Sequence, residues 1–257
     1  MKYPVLLPNI FDYPFTYKSN LKLKVGDYVQ VNFGKKSITG VIWDQFEKNN
    51  SKNFQIKAIE KKLNINTLNR RTVDFLNWFS KYNLIPLGMA LKLHLLRGTV
   101  PEKENEIEYK KYQIVGEKKL FHLSKEQEKV FKEINSNNNS FRVHLLQGTT
   151  GSGKTIVYFN VIKKIIEKRK QCLILLPEIG LTGEFEKKFK SFFGFEAAIW
   201  HSKITPKTKK IIWSGLIHDR IKVVIGARSA LFLPFRNLGL IIVDEEHDQS
   251  YKQDEGV

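Results

Sequence analysis

The chain has 257 residues, 42% of them hydrophobic, which is enough for one large domain or two of ordinary size. Its formal charge of +17 favours polyanions such as nucleic acid. The longest apolar runs are far shorter than the roughly 20 residues that span a bilayer, and residues 1–10 do not form a signal peptide. The single cysteine, Cys172, excludes an internal disulfide or a multi-cysteine zinc site and lies in an apolar run typical of a buried strand. We therefore expect a soluble cytoplasmic protein.

The basic charge has two explanations. Lysine far outnumbers arginine and asparagine is abundant, as in proteins from AT-rich genomes, so composition alone leaves nucleic-acid binding open. The charge is uneven, however, since residues 1–100 carry 16 basic and 6 acidic side chains. This unevenness favours a nucleic-acid ligand for the N-terminal part.

Residues 1–98 form the first predicted domain. Their short β-rich runs alternate in polarity and are separated by turn signals. A helix with Asn69 or Thr72 as its cap follows, and its apolar face includes Val73, Leu76 and Phe79. The pattern predicts a small sheet or barrel closed by a helix. The predicted strands are 28–33, 37–43 and 54–59.

The chain changes character after this domain. Residues 99–119 are charged and nearly featureless, so we predict a linker there. From residue 120 to 257, strands alternate with helices, which is typical of a parallel sheet covered on both faces. The predicted helices are 154–168, 183–193 and 205–217. The predicted strands are 143–146, 172–176, 197–200, 222–225 and 240–243.

A complete glycine-rich phosphate loop precedes the first of these helices. Residues 148–155, Gly-Thr-Thr-Gly-Ser-Gly-Lys-Thr, match the pattern G-x-x-x-x-G-K-[ST]. Its glycines let successive backbone N–H groups point at one phosphate cluster, and the following helix adds its N-terminal dipole. We expect Lys154 to reach the β- and γ-phosphates of ATP and the Thr155 hydroxyl to coordinate Mg²⁺. The predicted ATP-binding residues of the loop are Gly148, Thr149, Thr150, Gly151, Ser152, Gly153, Lys154 and Thr155.

An apolar strand that ends in carboxylates supplies the second half of this predicted site. Residues 240–247 are Leu-Ile-Ile-Val-Asp-Glu-Glu-His. At the carboxyl end of such a strand, Asp244 can hold Mg²⁺ and Glu245 can orient the attacking water. We therefore predict Lys154, Asp244 and Glu245 as the catalytic residues.

The segment after this strand resembles known helicases. Asp-Glu-x-His is motif II of superfamily 2, and Asp-Glu-Glu-His-Asp-Gln-Ser-Tyr-Lys-Gln over residues 244–253 resembles the primosomal, PriA-type replication-restart helicases. Leu-Ser-Lys-Glu-Gln before the P-loop is similar to their adenine-reading segment, which implies that Gln127 contacts ATP. The resemblance also implies that His247 couples the ATP site to DNA and that Tyr251 stacks on a base.

Three further segments carry the same resemblance. Residues 175–182 and 226–232 are similar to motifs Ia and Ib, which touch the backbone of single-stranded DNA. Phe-Asp-Tyr and Phe-Gly-Lys in the first domain resemble two loops of the family's 3′-end-binding domain, where Asp12 would accept a hydrogen bond from a free 3′-hydroxyl. The residues implied to bind DNA are Phe11, Asp12, Tyr13, Gly34, Lys35, Lys57, Pro177, Thr182, Arg228, Ser229 and Tyr251.

The resemblance implies a fold and a function. The expected fold is a RecA-like P-loop lobe with a parallel sheet, preceded by a small β-rich 3′-end DNA-binding domain. The expected function is that of an ATP-dependent 3′-to-5′ DNA helicase that recognises stalled forks and promotes primosome assembly. Expected cofactors are ATP and Mg²⁺, with zinc only in the family's C-terminal part. Expected partners are branched DNA forks, single-stranded DNA, single-strand-binding protein and primosome proteins, bound by a monomer that makes no membrane contact.

The chain also departs from the family. Residues 99–119 are too few for the usual winged-helix domain, the sequence stops soon after motif II, and Ile156 replaces an expected glutamate. The second motor lobe of such helicases supplies an arginine, which in other phosphoryl-transfer enzymes is worth about 10³–10⁵ in rate. We therefore expect this polypeptide alone to bind ATP and DNA but to hydrolyse ATP slowly.

Two other functions stay open at this point. A P-loop ATPase of another class, such as a nucleotide kinase or an AAA-type remodeler, would carry a lid or sensor arginines in place of Asp-Glu-x-His. A non-catalytic DNA-end-binding module would retain the motor half as a relic. Nucleotide binding by the wild type and by Lys154→Ala separates the relic from an ATPase.

Overall fold

The structure is a computed structural model that describes residues 1–44, 56–96, 100–101, 106–113, 122–136, 140–149, 151–177 and 183–251. Its strands are β1 (Lys2–Leu6), β2 (Phe15–Lys18), β3 (Tyr28–Phe33), β4 (Lys36–Ile42), β5 (Ile59–Lys62), β6 (Gln171–Leu175), β7 (Ala198–Trp200), β8 (Val223–Gly226) and β9 (Leu238–Val243). Its helices are α1 (Arg70–Asn83), α2 (Leu87–His94), α3 (Glu106–Tyr109), α4 (Lys125–Asn135), α5 (Lys154–Glu167), α6 (Gly183–Phe193) and α7 (Pro206–Ile217). None of the helices in the described part of the chain is long and apolar enough to cross a bilayer.

The chain divides into two compact units. The first comprises Met1–Glu106 together with Ile204–His218 and Phe232–Arg236. The second comprises Ile107–Lys203, Asp219–Leu231 and Asn237–Val257. The two short segments of the first unit come from the part of the sequence assigned to the motor lobe, so the division differs there from the predicted domain bounds.

The first unit is built on a five-stranded antiparallel sheet in the order β2-β1-β4-β3-β5. A bridge between Lys18 and Ala58 joins the end of β2 to the residue before β5, and the Lys18 N–H donates to the Lys57 carbonyl at 2.9 Å. Because β2 and β5 are the two edge strands, this bridge joins the two edges of the sheet, as in the small barrel that the sequence pattern allows. The predicted strands 28–33 and 37–43 match β3 and β4, whereas the strand predicted at 54–59 begins only at Ile59. Residues 54 and 55 lie outside the described residues.

Helix α1 belongs to the first unit and begins where the sequence predicts. The Asn69 side chain caps it by accepting a hydrogen bond from the Thr72 N–H at 2.9 Å. Val73 and Leu76 on its apolar face are fully buried. The cap and the face therefore agree with the prediction.

The core of the first unit includes helix α7. The Trp213 indole N–H donates to the His94 carbonyl at 3.0 Å, and its ring makes an edge contact with Tyr28. The His94 ring is also buried, with Nδ1 2.8 Å from the Phe232 carbonyl and Nε2 2.7 Å from the Tyr28 hydroxyl. A carbonyl can only accept, so Nδ1 carries the proton and Nε2 accepts from Tyr28.

The second unit contains a four-stranded parallel sheet in the order β7-β8-β6-β9, which confirms the α/β class. Every residue of β6 and β8 is buried, as expected for strands covered on both faces. Cys172 lies in this core, as its apolar context predicts. Helices α5 and α6 supply the aromatic part of the core through residues such as Phe159 and Phe189. The predicted strands from 172 onward and all three predicted helices match the structure to within two residues.

The strand predicted at 143–146 is wrong. Residues 141–149 have no regular structure, and Phe141, Val143 and Leu145 are 91%, 84% and 79% exposed. In the described part of the chain no strand pairs with them, and a strand without a partner leaves its backbone groups without a ladder. The edge strand β9 is also partly exposed, since the exposed fractions of Ile241 and Val243 are 45% and 47%.

The segment predicted as a featureless linker at 99–119 has regular structure over part of the residues that the structure describes there. Helix α3 and a 3₁₀ turn over Lys110–Tyr112 occupy residues 106–112. Tyr109 and Tyr112 are buried, and the Lys111 carbonyl accepts a hydrogen bond from the Glu196 N–H at 2.9 Å. Two aromatic side chains among the charges give this short segment enough apolar surface to pack.

Candidate functional site

The phosphate loop leads directly into helix α5, as predicted. Gly153 is the N-cap residue with φ of 84°, a left-handed conformation that favours glycine. A Cβ at Gly153 would also collide with the Gln127 amide. Lys154 opens the helix, and its Nζ donates to the Gly148 carbonyl at 2.6 Å, which holds the ammonium across the loop. Thr150 lies outside the described residues.

Gln127 supports the loop from helix α4. It forms a capping box with Ser124, in which the Ser124 N–H donates to Gln127 Oε1 at 3.0 Å. Its Nε2 donates to the Ser152 carbonyl at 3.1 Å. Both ends of the amide therefore hold local structure, and the adenine contact stays a prediction.

Motif II follows β9. The Asp244 N–H donates to the Leu175 carbonyl at 3.0 Å, which continues the pairing with β6 beyond the strand end. The Asp244 carboxylate accepts a hydrogen bond from the Glu245 N–H at 3.1 Å. Glu245 has φ of 49°, a left-handed conformation that is uncommon for residues other than glycine and that clusters at functional sites.

The two halves of the site meet at one hydroxyl. The Tyr158 hydroxyl donates to Asp244 Oδ2 at 2.8 Å, and the Thr155 side chain, one turn earlier on α5, lies close enough to interact with the same hydroxyl. Thr155 and Asp244, the two predicted magnesium ligands, are therefore brought to the same place. A hydroxyl and a carboxylate are the hard oxygen donors that Mg²⁺ prefers, alongside phosphate and water. The residues fit a nucleotide-bound Mg²⁺.

Other arrangements of metal ligands do not occur in the described residues, where no group of three or more His, Cys, Asp or Glu side chains could hold a metal ion. A magnesium ion held by one carboxylate, one hydroxyl and substrate phosphates needs no such cluster. Tyr158 itself was absent from the sequence prediction. Its one available signal was the spacing of three residues from Thr155, which places both side chains on one helix face.

Two of the predicted DNA-contacting residues of the second unit, Arg228 and Tyr251, are linked to motif II by hydrogen bonds. Arg228 opens a 3₁₀ turn over Arg228–Phe232, and its Nη1 donates to the Tyr251 carbonyl at 3.4 Å. The Tyr251 hydroxyl donates to the Asp244 carbonyl at 2.9 Å. His247 is exposed, with Nε2 3.6 Å from a Glu245 carboxylate oxygen. Of the other predicted contacts, Ser229 lies in the 3₁₀ turn, Pro177 is buried after β6, and Thr182 falls outside the described residues.

The Phe-Asp-Tyr loop lies between β1 and β2 in the first unit. Phe11 and Tyr13 join an aromatic cluster with Phe15 and Phe33, with neighbouring ring centroids 5.1–6.3 Å apart. Asp12 is exposed, and its Oδ1 accepts a hydrogen bond from the Leu87 N–H at 2.9 Å, the first N–H of helix α2. The sequence predicts a ligand role for this carboxylate but does not reveal that it caps helix α2.

A basic cavity of about 590 Å³ lies at the turn between β3 and β4. The Lys57 Nζ donates to the Gly34 carbonyl at 3.3 Å, so the predicted basic position does meet the predicted loop. Lys18 also lines the cavity and was missed, because only the pairing of its backbone with Lys57 brings it there. The residues that line the cavity are Lys18, Asn32, Gly34, Lys35, Ile56, Lys57, Ala58 and Glu60.

These observations define a class of protein: an α/β lobe with a P-loop and a motif II carboxylate, preceded in the sequence by a β-rich unit that has a basic cavity. Comparison with known families agrees. Residues 124–256 match the DEAD/DEAH box helicase family, and residues 4–95 match a 3′ DNA-binding domain named after PriA. The chain belongs to the DEAD/DEAH box helicase family.

The chain is also similar in sequence to individual replication restart proteins. The chain is 39% identical over 255 residues to the replication restart protein PriA of Rickettsia conorii, an alignment that covers 98% of the chain and 38% of the relative. It is 34% identical over 247 residues to PriA of Helicobacter pylori, covering 93% of the chain and 36% of the relative. With PriA of Bacillus subtilis the identity is 39% over 170 residues, covering 65% of the chain and 21% of the relative. The chain thus spans less than two fifths of the length of these relatives.

Proposed function

We propose that this chain forms the fork-recognition and first motor part of an ATP-dependent 3′-to-5′ DNA helicase of replication restart. The observation that carries the proposal is the meeting of Thr155 and Asp244 at the Tyr158 hydroxyl, because a P-loop and a motif II carboxylate must share one metal ion to act as a motor. The similarity to replication restart proteins supports the biological setting.

Each residue of the nucleotide site has a proposed role. Lys154 is positioned at the loop to bind the β- and γ-phosphates of ATP, and the loop N–H groups surround them. Thr155 and Asp244 hold Mg²⁺, and Glu245 orients the attacking water. When bound, Mg²⁺ would bridge phosphate oxygens and offset the charge that develops on them.

The basic cavity is proposed to bind the backbone of a DNA 3′ end. Lys18, Lys35 and Lys57 line it, and they outnumber the single carboxylate of Glu60. That carboxylate already accepts hydrogen bonds from the Asn32 amide and the Ser37 hydroxyl. The excess of ammonium groups suits phosphates, and such contacts weaken as salt rises.

The terminal nucleotide is proposed to lie by the aromatic cluster. The Phe11 ring contacts Phe33, the residue that precedes Gly34 of the cavity. Asp12, the residue after Phe11, is exposed. Its Oδ1 accepts from the Leu87 N–H, so its second oxygen, Oδ2, is suited to accept a hydrogen bond from a free 3′-hydroxyl. By similarity to the replication restart proteins, we extend the proposal to branched forks, single-strand-binding protein and primosome proteins as partners of a monomer.

A nucleotide titration tests the motor half. Wild type and Lys154→Ala are titrated with a fluorescent ATP analogue in the presence of Mg²⁺. Removal of a charge-assisted hydrogen bond to phosphate costs about 1.5–3 kcal/mol, so we expect binding to weaken roughly 10- to 100-fold. Equal affinity in the two proteins contradicts the assignment of the P-loop.

A fork comparison tests the DNA half. Two forks differ only in whether the leading-strand end carries a 3′-hydroxyl or a 3′-phosphate, and binding is followed by fluorescence anisotropy. A single hydrogen bond to a charged acceptor predicts about tenfold tighter binding of the hydroxyl end. Lys154→Ala is the matched control, since it should retain this preference. Equal binding of the two forks by wild type contradicts end recognition.

A further inference from the structure

Tyr158 lies one turn after Thr155 on helix α5 and is nearly fully buried. Its ring packs in the core of the second unit, where Phe159 and Ile162 of the same helix also lie. Its hydroxyl is the polar end of an otherwise apolar side chain, and it points to the edge of the sheet where β9 ends and Asp244 begins. The ring therefore anchors the hydroxyl in a fixed position.

The hydroxyl forms a hydrogen bond with a definite direction. It donates its single proton to Asp244 Oδ2, since a carboxylate can only accept. Its oxygen can still accept a hydrogen bond, and the Thr155 side chain, one turn earlier on α5, interacts with this hydroxyl.

A Thr155 hydroxyl that directs its proton to Tyr158 keeps its oxygen lone pairs available for a cation. The Asp244 carboxylate is held at both oxygens, by Tyr158 at Oδ2 and by the Glu245 N–H at Oδ1. Partners of this kind orient metal ligands, and their loss typically lowers metal affinity about 10- to 100-fold.

We propose that Tyr158 is a positioning residue of the magnesium site, whose hydroxyl orients the Asp244 carboxylate beside Thr155. The inference rests on the proposed function, because it assigns Tyr158 to the same nucleotide site. It predicts that the Tyr158 hydroxyl contributes to nucleotide binding only through the metal.

The experiment compares nucleotide affinity with excess Mg²⁺ and with EDTA, using fluorescent ADP and the full chain. The ratio of the two affinities measures the contribution of the metal. We expect Tyr158→Phe to reduce this ratio about tenfold and to leave the affinity in EDTA unchanged within twofold. The substitution retains the ring that packs in the core, and thermal unfolding of the variant checks that it is folded.

Tyr251→Phe is the matched control. It removes a hydroxyl that also donates to Asp244, but to the backbone carbonyl and not to the carboxylate. We expect its Mg²⁺ ratio to stay within twofold of wild type. An equal drop in both Tyr variants overturns the inference, because it would show a general loss of structure around Asp244.

The remaining outcomes separate the inference from the proposed function. If wild type gains affinity from Mg²⁺ and Tyr158→Phe keeps the full gain, the inference is wrong and the nucleotide site stands. If Tyr158→Phe weakens binding equally with Mg²⁺ and with EDTA, the role of Tyr158 is only structural and the inference is again wrong. If wild type binds no nucleotide, or Lys154→Ala binds as well as wild type, the proposed function and the inference fail together.

Discussion

The proposed nucleotide site is built mainly from one short stretch of the chain, whereas the core of the first unit is built from segments far apart in the sequence. Apart from Asp244, the contacts that shape the nucleotide site lie within the short stretch from Gln127 to Tyr158. The contacts of His94 instead reach Tyr28, Trp213 and Phe232, which are 66, 119 and 138 positions away in the sequence.

The difference follows from what each region has to bind. A phosphate cradle uses consecutive backbone N–H groups, so it requires a contiguous stretch of loop and helix. A buried core needs only apolar surface of the right shape, and any part of the chain can supply it. Changes in the cradle should therefore alter ligand binding, whereas changes around His94 should alter the free energy of unfolding of the first unit.

Trp213→Ala tests this contrast with the largest expected effect. Trp213 is fully buried and holds the His94 carbonyl through its indole N–H. Truncation of a buried Trp typically costs about 3–5 kcal/mol, because it leaves a cavity and here also an unpaired carbonyl. We expect a loss of this size in the free energy of unfolding, measured by urea titration with circular dichroism.

Trp78→Ala is the matched control for this prediction. Trp78 is 54% exposed on helix α1, so the same substitution should cost less than about 1 kcal/mol. If the two variants lose equal stability, helix α7 is not part of the core of the first unit, and the contrast between the two regions is lost.

The conformation of the P-loop and of the helix after it is predictable from the sequence, because the residues that determine it are consecutive. Gly148 to Thr155 set the loop conformation and also include the proposed ligands of the phosphates and of Mg²⁺. Tyr158 escapes because a tyrosine in an apolar helix is ordinarily a core residue. Only the structure shows that its hydroxyl reaches Asp244.

The first unit shows what sequence patterns do not predict. The periodicity of α7 predicts a helix with a buried face, and the helix is there. It does not say what that face packs against, and Trp213 contacts Tyr28, far away in the sequence. The same limit explains the failed strand at 143–146, because an apolar run indicates a strand but not whether a neighbouring strand exists to pair with it. Lys18 was missed for a related reason, since a backbone bridge placed it in the cavity.

His94 should also make the stability of the first unit depend on pH. Burial lowers the pKa of His94 from 6.5 to about 4, against a smaller opposing effect of its hydrogen bond to the Phe232 carbonyl. In the unfolded chain His94 therefore binds a proton near pH 6.5, whereas in the folded chain it binds one only near pH 4. This contribution to stability is present above pH 6.5 and is lost as the pH falls from 6.5 to 4, by up to about 3 kcal/mol.

His94→Gln isolates this effect from the carboxylates that titrate over the same range. A Gln side chain offers one donor and one acceptor but does not titrate. The difference in unfolding free energy between wild type and variant should shrink as the pH falls from 7 to 4. A constant difference over that range contradicts the neutral, buried state of His94.

Asp12 gives the smallest expected effect and tests whether one residue of the first unit serves both structure and ligand. Its Oδ1 accepts the Leu87 N–H at the start of α2. Loss of a helix cap typically costs about 1 kcal/mol, so Asp12→Ala should lower the free energy of unfolding by that amount. Asp12→Asn retains an oxygen for the Leu87 N–H and should stay within about 0.5 kcal/mol of wild type.

The two substitutions separate the cap from the proposed contact with DNA. In Asp12→Asn the one amide oxygen faces Leu87, because an amide NH₂ cannot accept a hydrogen bond. The second position, where Oδ2 stood, then carries a donor and can no longer accept from a 3′-hydroxyl. We therefore expect Asp12→Asn to keep its stability but to lose its preference for the fork with a free 3′-hydroxyl. If Asp12→Asn keeps the preference and only Asp12→Ala loses it, Asp12 acts by holding α2 in place, and the end is recognised by other groups.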